Sequence, residues 1–452
     1  MNKVEVFYKE TFAGVLEKKI EGHFIFIYEE SYIASNNPSI SLTLPKETKS
    51  FKNENLFPFF DGLIPEGWLL KLASEELRLD PLQDRFELLK TLCRDTIGAI
   101  HIGKPENEKK THELDIKLKK AELPVFDRCL ICYKEHQGIY HLACMKKVFG
   151  TTIHPIVEID NEILEVLGRN QLNQKLAIAG VQKKISLDLK LDTQTKEHRI
   201  TVTDLWGKYI FKPRGKAPHL PENEHLCLLM AEMAGIKVEK SALIPTSSGE
   251  LGFLARRFDR GDKHEEFHQE DFCQILEKEP FKKYQGSLEQ VGKVIKKSSD
   301  FPGDNLYRLM ELIVFNFLIG NVDFHLKNIS LTFENDKGYK TLLSPAYDLL
   351  STDLYIDDDN EQTALAINGR KNQLRRIDFL ECAKSYSITE KVFDKILSKF
   401  EKMIPVWNQT INQSFIEKER QEKLTYMVRS RLIMLQTISP QSSDTYARES
   451  SS

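Results

Sequence analysis

The segment Asn321-Val-Asp-Phe-His-Leu-Lys-Asn328 places an aspartate five residues ahead of an asparagine, and Asp348 follows in Tyr347-Asp-Leu-Leu350. Asp323 can orient and deprotonate an incoming hydroxyl. The amide oxygen of Asn328 and the carboxylate of Asp348 can then share one metal ion. Phosphoryl transfer uses such a set: a loop aspartate, a metal-binding asparagine and a second metal-binding aspartate. The same residues also suit a polar loop after a buried helix, with Asp323 as a cap, because short motifs recur by chance.

Upstream residues bear on that choice. Residues 176–187 are rich in small side chains, and Ala179, Gly180, Val181, Gln182, Lys183 and Lys184 can form a tight loop whose backbone N–H groups face phosphate. An apolar-alternating run over residues 208–214 predicts a strand ending at Lys212, a reach for nucleotide phosphates. The run over residues 223–235 predicts a helix, with Glu224 near its start able to pair with Lys212. Each piece has a plainer reading: a turn at Gly180, a solvated lysine, a glutamate serving the helix dipole. The order of loop, lysine, glutamate, Asp323–Asn328 and Asp348 favours a phosphoryl-transfer site.

With these residues in place, the chain resembles the HipA-type serine/threonine kinases, the toxins of HipA–HipB toxin–antitoxin modules. The matching phrases include A-G-V-Q-K-K at 179–184, I-F-K-P at 210–213, R-F-D-R at 257–260, D-F-H-L-K-N at 323–328 and P-A-Y-D-L-L at 345–350. S-I-S-L-T-L-P at 39–45, F-F-D-G-L-I-P-E-G at 59–67 and D-T-I-G-A at 95–99 extend the likeness to the N-terminus. The resemblance implies an α+β, two-lobed protein-kinase-like fold with a small N-terminal α+β domain. It implies ATP and Mg²⁺, with Asp323 as catalytic base, Asn328 and Asp348 on the metal, and Lys212 on phosphate. It places Ala179–Lys184 at the phosphates, Arg256, Arg257 and Phe258 at the adenine hinge, and Glu224, His325, Lys327 and Tyr347 around the nucleotide. An aminoacyl-tRNA synthetase is the implied protein substrate, a HipB-like antitoxin the implied partner, and DNA is reached only through it. In the family an autophosphorylated serine commonly precedes the loop. Here that position is Ala177, so control by that serine is not expected.

Residues 129–144 carry a separate chemistry. Cys129-x-x-Cys132 followed by His141-x-x-Cys144 offers four ligands in two close pairs, enough to close a tetrahedron around Zn²⁺. Gly138 suits the turn between the pairs, and His136 is an alternative ligand. A redox or incidental C-x-x-C is the competing reading. With no open position, the metal would be structural. Similar knuckles precede the kinase core in part of the family that the chain resembles.

The elements that must position these residues follow from periodicity and composition. Residues 1–103 alternate in short strands (4–8, 22–28 and 40–44), followed by helices over 66–77 and 83–92. Residues 104–128 are charged and read as a linker, and 129–150 as the knuckle. A strand-rich kinase N-lobe spans 151–267 and a helical C-lobe 268–438, with the apolar run 306–319 a buried helix delivering Asp323. The polar tail 439–452 reads as disordered. Net charge is −3, from 64 basic and 67 acidic side chains, which argues against unaided DNA binding. Seven cysteines in 452 residues make no disulfide framework. No apolar run approaches the ~18 residues of a membrane span, and no signal peptide is evident. A cytoplasmic enzyme is therefore expected. A small-molecule kinase and a non-catalytic regulator acting with a DNA-binding partner remain as alternatives.

Overall fold

A computed structural model describes residues 2–105, 125–152, 155–156, 184–191, 198–201, 207–246, 249–262, 265–334, 339–356 and 361–437. Ala177, the loop residues Ala179, Gly180, Val181, Gln182 and Lys183, most of the expected linker and the tail from residue 438 lie outside them.

The first hundred residues build a five-stranded antiparallel sheet from β1 (Lys3–Tyr8), β2 (Thr11–Lys18), β3 (Phe24–Tyr28), β4 (Ser50–Asn53) and β5 (Ile100–Ile102). Its order is β4-β3-β2-β1-β5. Helices α1 (Glu30–Ile33), α2 (Pro58–Gly62), α3 (Gly67–Leu77) and α4 (Arg85–Leu92) accompany the sheet, and Phe26, Phe59, Phe60 and Leu89 share its buried core. Residues 40–44, expected as a strand, form a turn closed by a single bridge between Ser41 and Leu44. Ile40 and Leu44 are buried while Ser41 faces the carboxylate of Glu270, far along the chain, so the alternation is real but serves docking.

A small hairpin follows, β6 (Phe126–Arg128) and β7 (Glu135–Gly138), with α5 (Leu142–Phe149). The next six strands are β8 (Pro155–Ile156), β9 (Ile185–Leu191), β10 (His198–Thr201), β11 (Tyr209–Lys212), β12 (Lys240–Pro245) and β13 (Leu251–Arg256), ordered β12-β13-β11-β9-β10-β8. Helix α6 (Leu220–Met233) packs on β12 and β13. The second lobe holds β14 (His268–Asp271), α7 (Phe272–Ile275), α8 (Leu288–Ser298), α9 (Pro302–Ile319), β15 (Ser330–Glu334), β16 (Lys340–Leu343), α10 (Arg376–Ser385), α11 (Glu390–Asn412) and α12 (Lys418–Gln436). Helix α9 is buried continuously from Leu309 to Ile319. Each such large apolar side chain contributes about 1.5–3 kcal/mol when withdrawn from water, which makes α9 a fixed support. Trp407 of α11 is fully buried and donates its indole N–H to Met230 O at 2.9 Å, tying the C-terminal helices to α6.

Gly320 ends α9 with φ +70°. A Cβ there would lie 2.7 Å from Met427 Sδ and 2.9 Å from Asp353 Cβ. Only glycine lets the chain turn sharply off the helix at this contact.

Candidate active site

The loop beyond Gly320 is built from its backbone outward. Asn321 N–H donates to Asn316 O at 2.9 Å and its side-chain amide to Asn316 Oδ1 at 2.7 Å. Asn321 Oδ1 then accepts from Asp323 N–H at 3.1 Å, and Thr352 Oγ1 accepts from Val322 N–H at 2.7 Å. Asn328 closes the loop by donating its amide to Asp323 O at 2.9 Å. The chain thus fixes Asp323 and Asn328 relative to a buried helix end.

A cavity of about 160 Å³ lies between the lobes. Lys212 reaches it from the end of β11, with Nζ 2.7 Å from Glu224 Oε1 and 2.7 Å from Asp348 Oδ1. Burial opposes the lysine charge, but the Asp348 and Glu224 carboxylates outweigh it and hold its pKa above the ordinary value. Burial likewise penalises the Asp348 anion, yet Lys212 and then Lys184 keep it well below the usual carboxylate range. Glu224, more deeply enclosed, is pushed up by burial to about 7 despite Lys212. Lys184 is pushed down by burial, and next by Lys212, to about 8. Asp348 sits at φ +55°, a left-handed turn that aspartate tolerates better than most residues and that is stored here at the cavity wall.

Asp323 lines the same cavity. Burial raises its pKa, and the phenol of Tyr284, donating to Asp323 Oδ1 at 2.5 Å, opposes that rise. Burial, with Lys283 next, pushes His325 down to about 3, so its ring is neutral. His325 Nδ1 is buried and has no hydrogen-bond partner among the described residues. Phe258 and Tyr347 stack at a tilt, ring centroids 5.7 Å apart, on the same cavity.

Not every expected residue points inward in the same sense. Lys327 borders the cavity, but its ammonium is held by Glu66 at 3.1 Å and Asp271 at 3.3 Å. Arg257 is clamped by Asp259, Nη2 to Oδ2 at 2.6 Å. Arg256, at the end of β13, turns to Asp262 at 2.6 Å and is absent from the cavity wall. Glu66, the first residue of the helix expected over 66–77, sends its carboxylate to Lys327 and, at 3.8 Å, to Lys283. Three further wall residues had no sequence signal: Tyr284, Lys283 and Glu239, whose burial pushes it up to about 8.

Elsewhere, Cys129, Cys132, His141 and Cys144 converge, their ligand atoms all within 4.8 Å of one another. His136 is not in that cluster, although its ring lies 4.5 Å from that of His141.

Arranged this way, the cavity is lined by the Lys212 cation, held between two carboxylates, and by the oxygen-bearing side chains of Asp323, Asn328 and Asp348. Side chains of these types are the ones that phosphoryl transfer to a hydroxyl uses. Residues 176–407 match the family model of the HipA-like C-terminal domain and residues 4–103 that of the HipA N-terminal domain. The serine/threonine-protein kinase toxin HipA of Shewanella oneidensis is 29% identical over 367 residues, covering 76% of this chain and 73% of that one. A Sinorhizobium fredii protein, Y4mE, is 28% identical over 366 residues, 78% of each chain. Among solved structures, HipA from the Shewanella oneidensis complex of HipA, HipB and operator DNA superposes with a TM-score of 0.63 at 19% identity, covering 95% of this chain and 96% of that one. The fold is therefore α+β, two-lobed and protein-kinase-like, with a small N-terminal α+β domain. Among the described residues no helix is long and apolar enough to cross a membrane.

Proposed function

Because the chain belongs to the HipA family, we propose that it is an ATP- and Mg²⁺-dependent serine/threonine protein kinase acting as the toxin of a HipA-type toxin–antitoxin module. The observation that carries this reading is Lys212 Nζ held 2.7 Å from both Glu224 and Asp348, in one cavity with Asp323. Asn328 and Asp348 are hard oxygen donors of the kind magnesium takes, and the unpartnered His325 Nδ1 suits a polar ligand atom.

When bound, ATP–Mg²⁺ supplies the transferable phosphoryl group and neutralises its developing charge. The chain's own residues do the rest. Lys212, steadied by Glu224, holds phosphate oxygens together with Lys184, and the sequence Ala179–Lys183 is assigned to phosphate binding. Asp323 orients the substrate hydroxyl and accepts its proton, the contribution expected of a positioned base being about 10²–10⁴-fold. Phe258 and Tyr347 flank the base of the nucleotide, and Arg256 and Arg257 contribute backbone at the hinge. Lys327 fixes the loop from behind through Glu66 and Asp271.

In this reading the substrate is an aminoacyl-tRNA synthetase or a similar translation protein, as the family resemblance implies, and a phosphate would add charge of about −1.5 to −2 to the site that receives it. A HipB-like antitoxin is the partner, DNA is met only through it, and the cytoplasm is the site of action. The divisions 1–103, 129–150, 151–267 and 268–438 serve as N-terminal module, knuckle, N-lobe and C-lobe, and the knuckle takes Zn²⁺.

The test is transfer of labelled γ-phosphate from ATP–Mg²⁺ in cleared bacterial lysate, wild type beside Asp323→Ala. A labelled band of synthetase size, absent with the variant, is the expected result. Nucleotide binding without any transfer to protein would overturn the reading in favour of a regulator.

A further inference from the structure

We propose that the metal site of the knuckle governs the nucleotide site: a zinc ion on Cys129, Cys132, His141 and Cys144 locks the turn whose Ile131 carbonyl anchors the helix bearing Glu224. The inference rests on the kinase reading only for what Glu224 does.

The ligand geometry comes first. Cys129 and Cys132 lie in the turn between β6 and β7, His141 precedes α5, and Cys144 is in its first helical turn. A tetrahedral zinc with ~2.3 Å bonds to sulfur has ligand–ligand edges of about 3.8 Å. All four donor atoms fall within 4.8 Å of one another, and Cys132 Sγ is 3.4 Å from His141 Nδ1. The other ring nitrogen, Nε2, lies 3.1 Å from Glu135 O, a carbonyl that can only accept. The proton therefore sits on Nε2 and leaves the Nδ1 lone pair for a metal. Backbone N–H of His141 points at Cys129 Sγ at 3.4 Å, a contact that suits a thiolate. The turn itself is strained, with Tyr133 at φ +60°. Four converging donors with no position left open describe a structural metal, and binding it releases the thiol protons.

The second observation is where the turn is attached. His225 Nε2 donates to Ile131 O at 3.0 Å, while its Nδ1 meets Ser241 Oγ at 2.9 Å on β12. Leu130 O accepts from Leu243 N–H at 3.1 Å, so the knuckle also extends the β12 edge. His225 is the residue after Glu224 on α6. The carboxylate faces Lys212 while the imidazole is fixed by the knuckle. Releasing the metal frees a strained turn, loses the Ile131 carbonyl as a fixed acceptor and loosens the first half of α6.

The test uses the full chain. Zinc is measured by plasma mass spectrometry, and amide exchange over residues 220–233 is followed before and after removing the metal with a chelator. Affinity for a non-hydrolysable ATP analogue is measured in parallel. One zinc per chain is expected, with exchange in 220–233 accelerated about tenfold or more on stripping and the analogue bound several-fold more weakly. His225→Ala keeps all four ligands and covers the case in which cysteine variants do not fold. It should retain zinc yet show the same accelerated exchange. Absence of zinc overturns the site. Zinc present with unchanged exchange, on stripping or in His225→Ala, overturns the coupling. A zinc-loaded, coupled chain that transfers no phosphate would sink the kinase reading and leave this inference standing.

Discussion

Lys212 serves two carboxylates of unlike character, and Asp323, on the same cavity, is set by burial against the phenol of Tyr284, with Asp348, Lys283 and Lys212 acting after them. Burial raises the Asp323 pKa, and the Tyr284 hydroxyl works against it by donating to the ionised form. Tyr284 remains a donor because burial, and then Asp323 itself, push its own ionisation up. Tyr284→Phe keeps the ring against His325, 5.0 Å away, and removes only the donor. With the carboxylate less supported, Asp323 takes a proton at higher pH. The acidic limb of the kcat profile should move upward, by up to about one pH unit. An unmoved limb would mean that the phenol contact breaks before the chemistry. That Lys212, Asp323, Asn328 and Asp348 meet in one cavity was open to sequence reading, because residue types and order of this kind go together in a phosphoryl-transfer site. Tyr284 was not, because one tyrosine in a polar loop has no pattern to betray it.

Helix α9 is the element that turns sequence into a site. Its apolar run over 306–319 announced a buried helix, since no amphipathic surface helix is apolar all round. The abrupt exit at Gly320 was less visible, because the need for a bare backbone comes from Met427 and Asp353, distant in sequence. Gly320→Ala would meet both a left-handed φ and those contacts. It should cost about 1–3 kcal/mol, read as a lowered melting temperature, and should disturb the Asn321–Asp323 bonds more than the rest of the lobe. Unchanged stability would show that the neighbours yield freely. The elements legible beforehand were those whose periodicity answers to a local core: β1, β3, α3, α6 and α9. The stretch 40–44 misled because its alternation reports burial in a turn against another domain, not in a ladder. The convergence of Cys129, Cys132, His141 and Cys144 was legible from spacing, whereas their tie to α6 through His225 was not, because the acceptor is a backbone carbonyl 94 residues away.

At the scale of the whole molecule, the N-terminal module is fastened to the kinase lobes by buried polar groups. Arg260 donates to Gly98 O at 2.7 Å and pairs with Asp95 at 2.8 Å, while Gly98, at φ +90°, brings its backbone so close that a Cβ would lie 3.0 Å from Gln269 N. Glu270, fully buried, accepts from Ser41 Oγ at 2.7 Å and Leu42 N–H at 2.9 Å. Burial pushes its pKa up to about 7, against the opposing pull of those two donors. An unfolded glutamate titrates near 4.3, so between that value and 7 the folded chain holds the extra proton. The stability contributed by this group therefore falls as pH rises through the window, by up to about 1.4 kcal/mol per pH unit. Glu270→Gln keeps an oxygen for Leu42 N–H and an amide that Ser41 can accept, and it removes the titration. Every other ionising group is common to the two chains, so the difference in unfolding free energy between variant and wild type isolates Glu270. That difference should shift in favour of the variant from pH 5 to pH 8, measured by denaturant unfolding at fixed salt. A flat difference would show that Glu270 stays ionised throughout. The joint between the module and the lobes would then be held by a buried anion, not by a carboxyl that shares its proton.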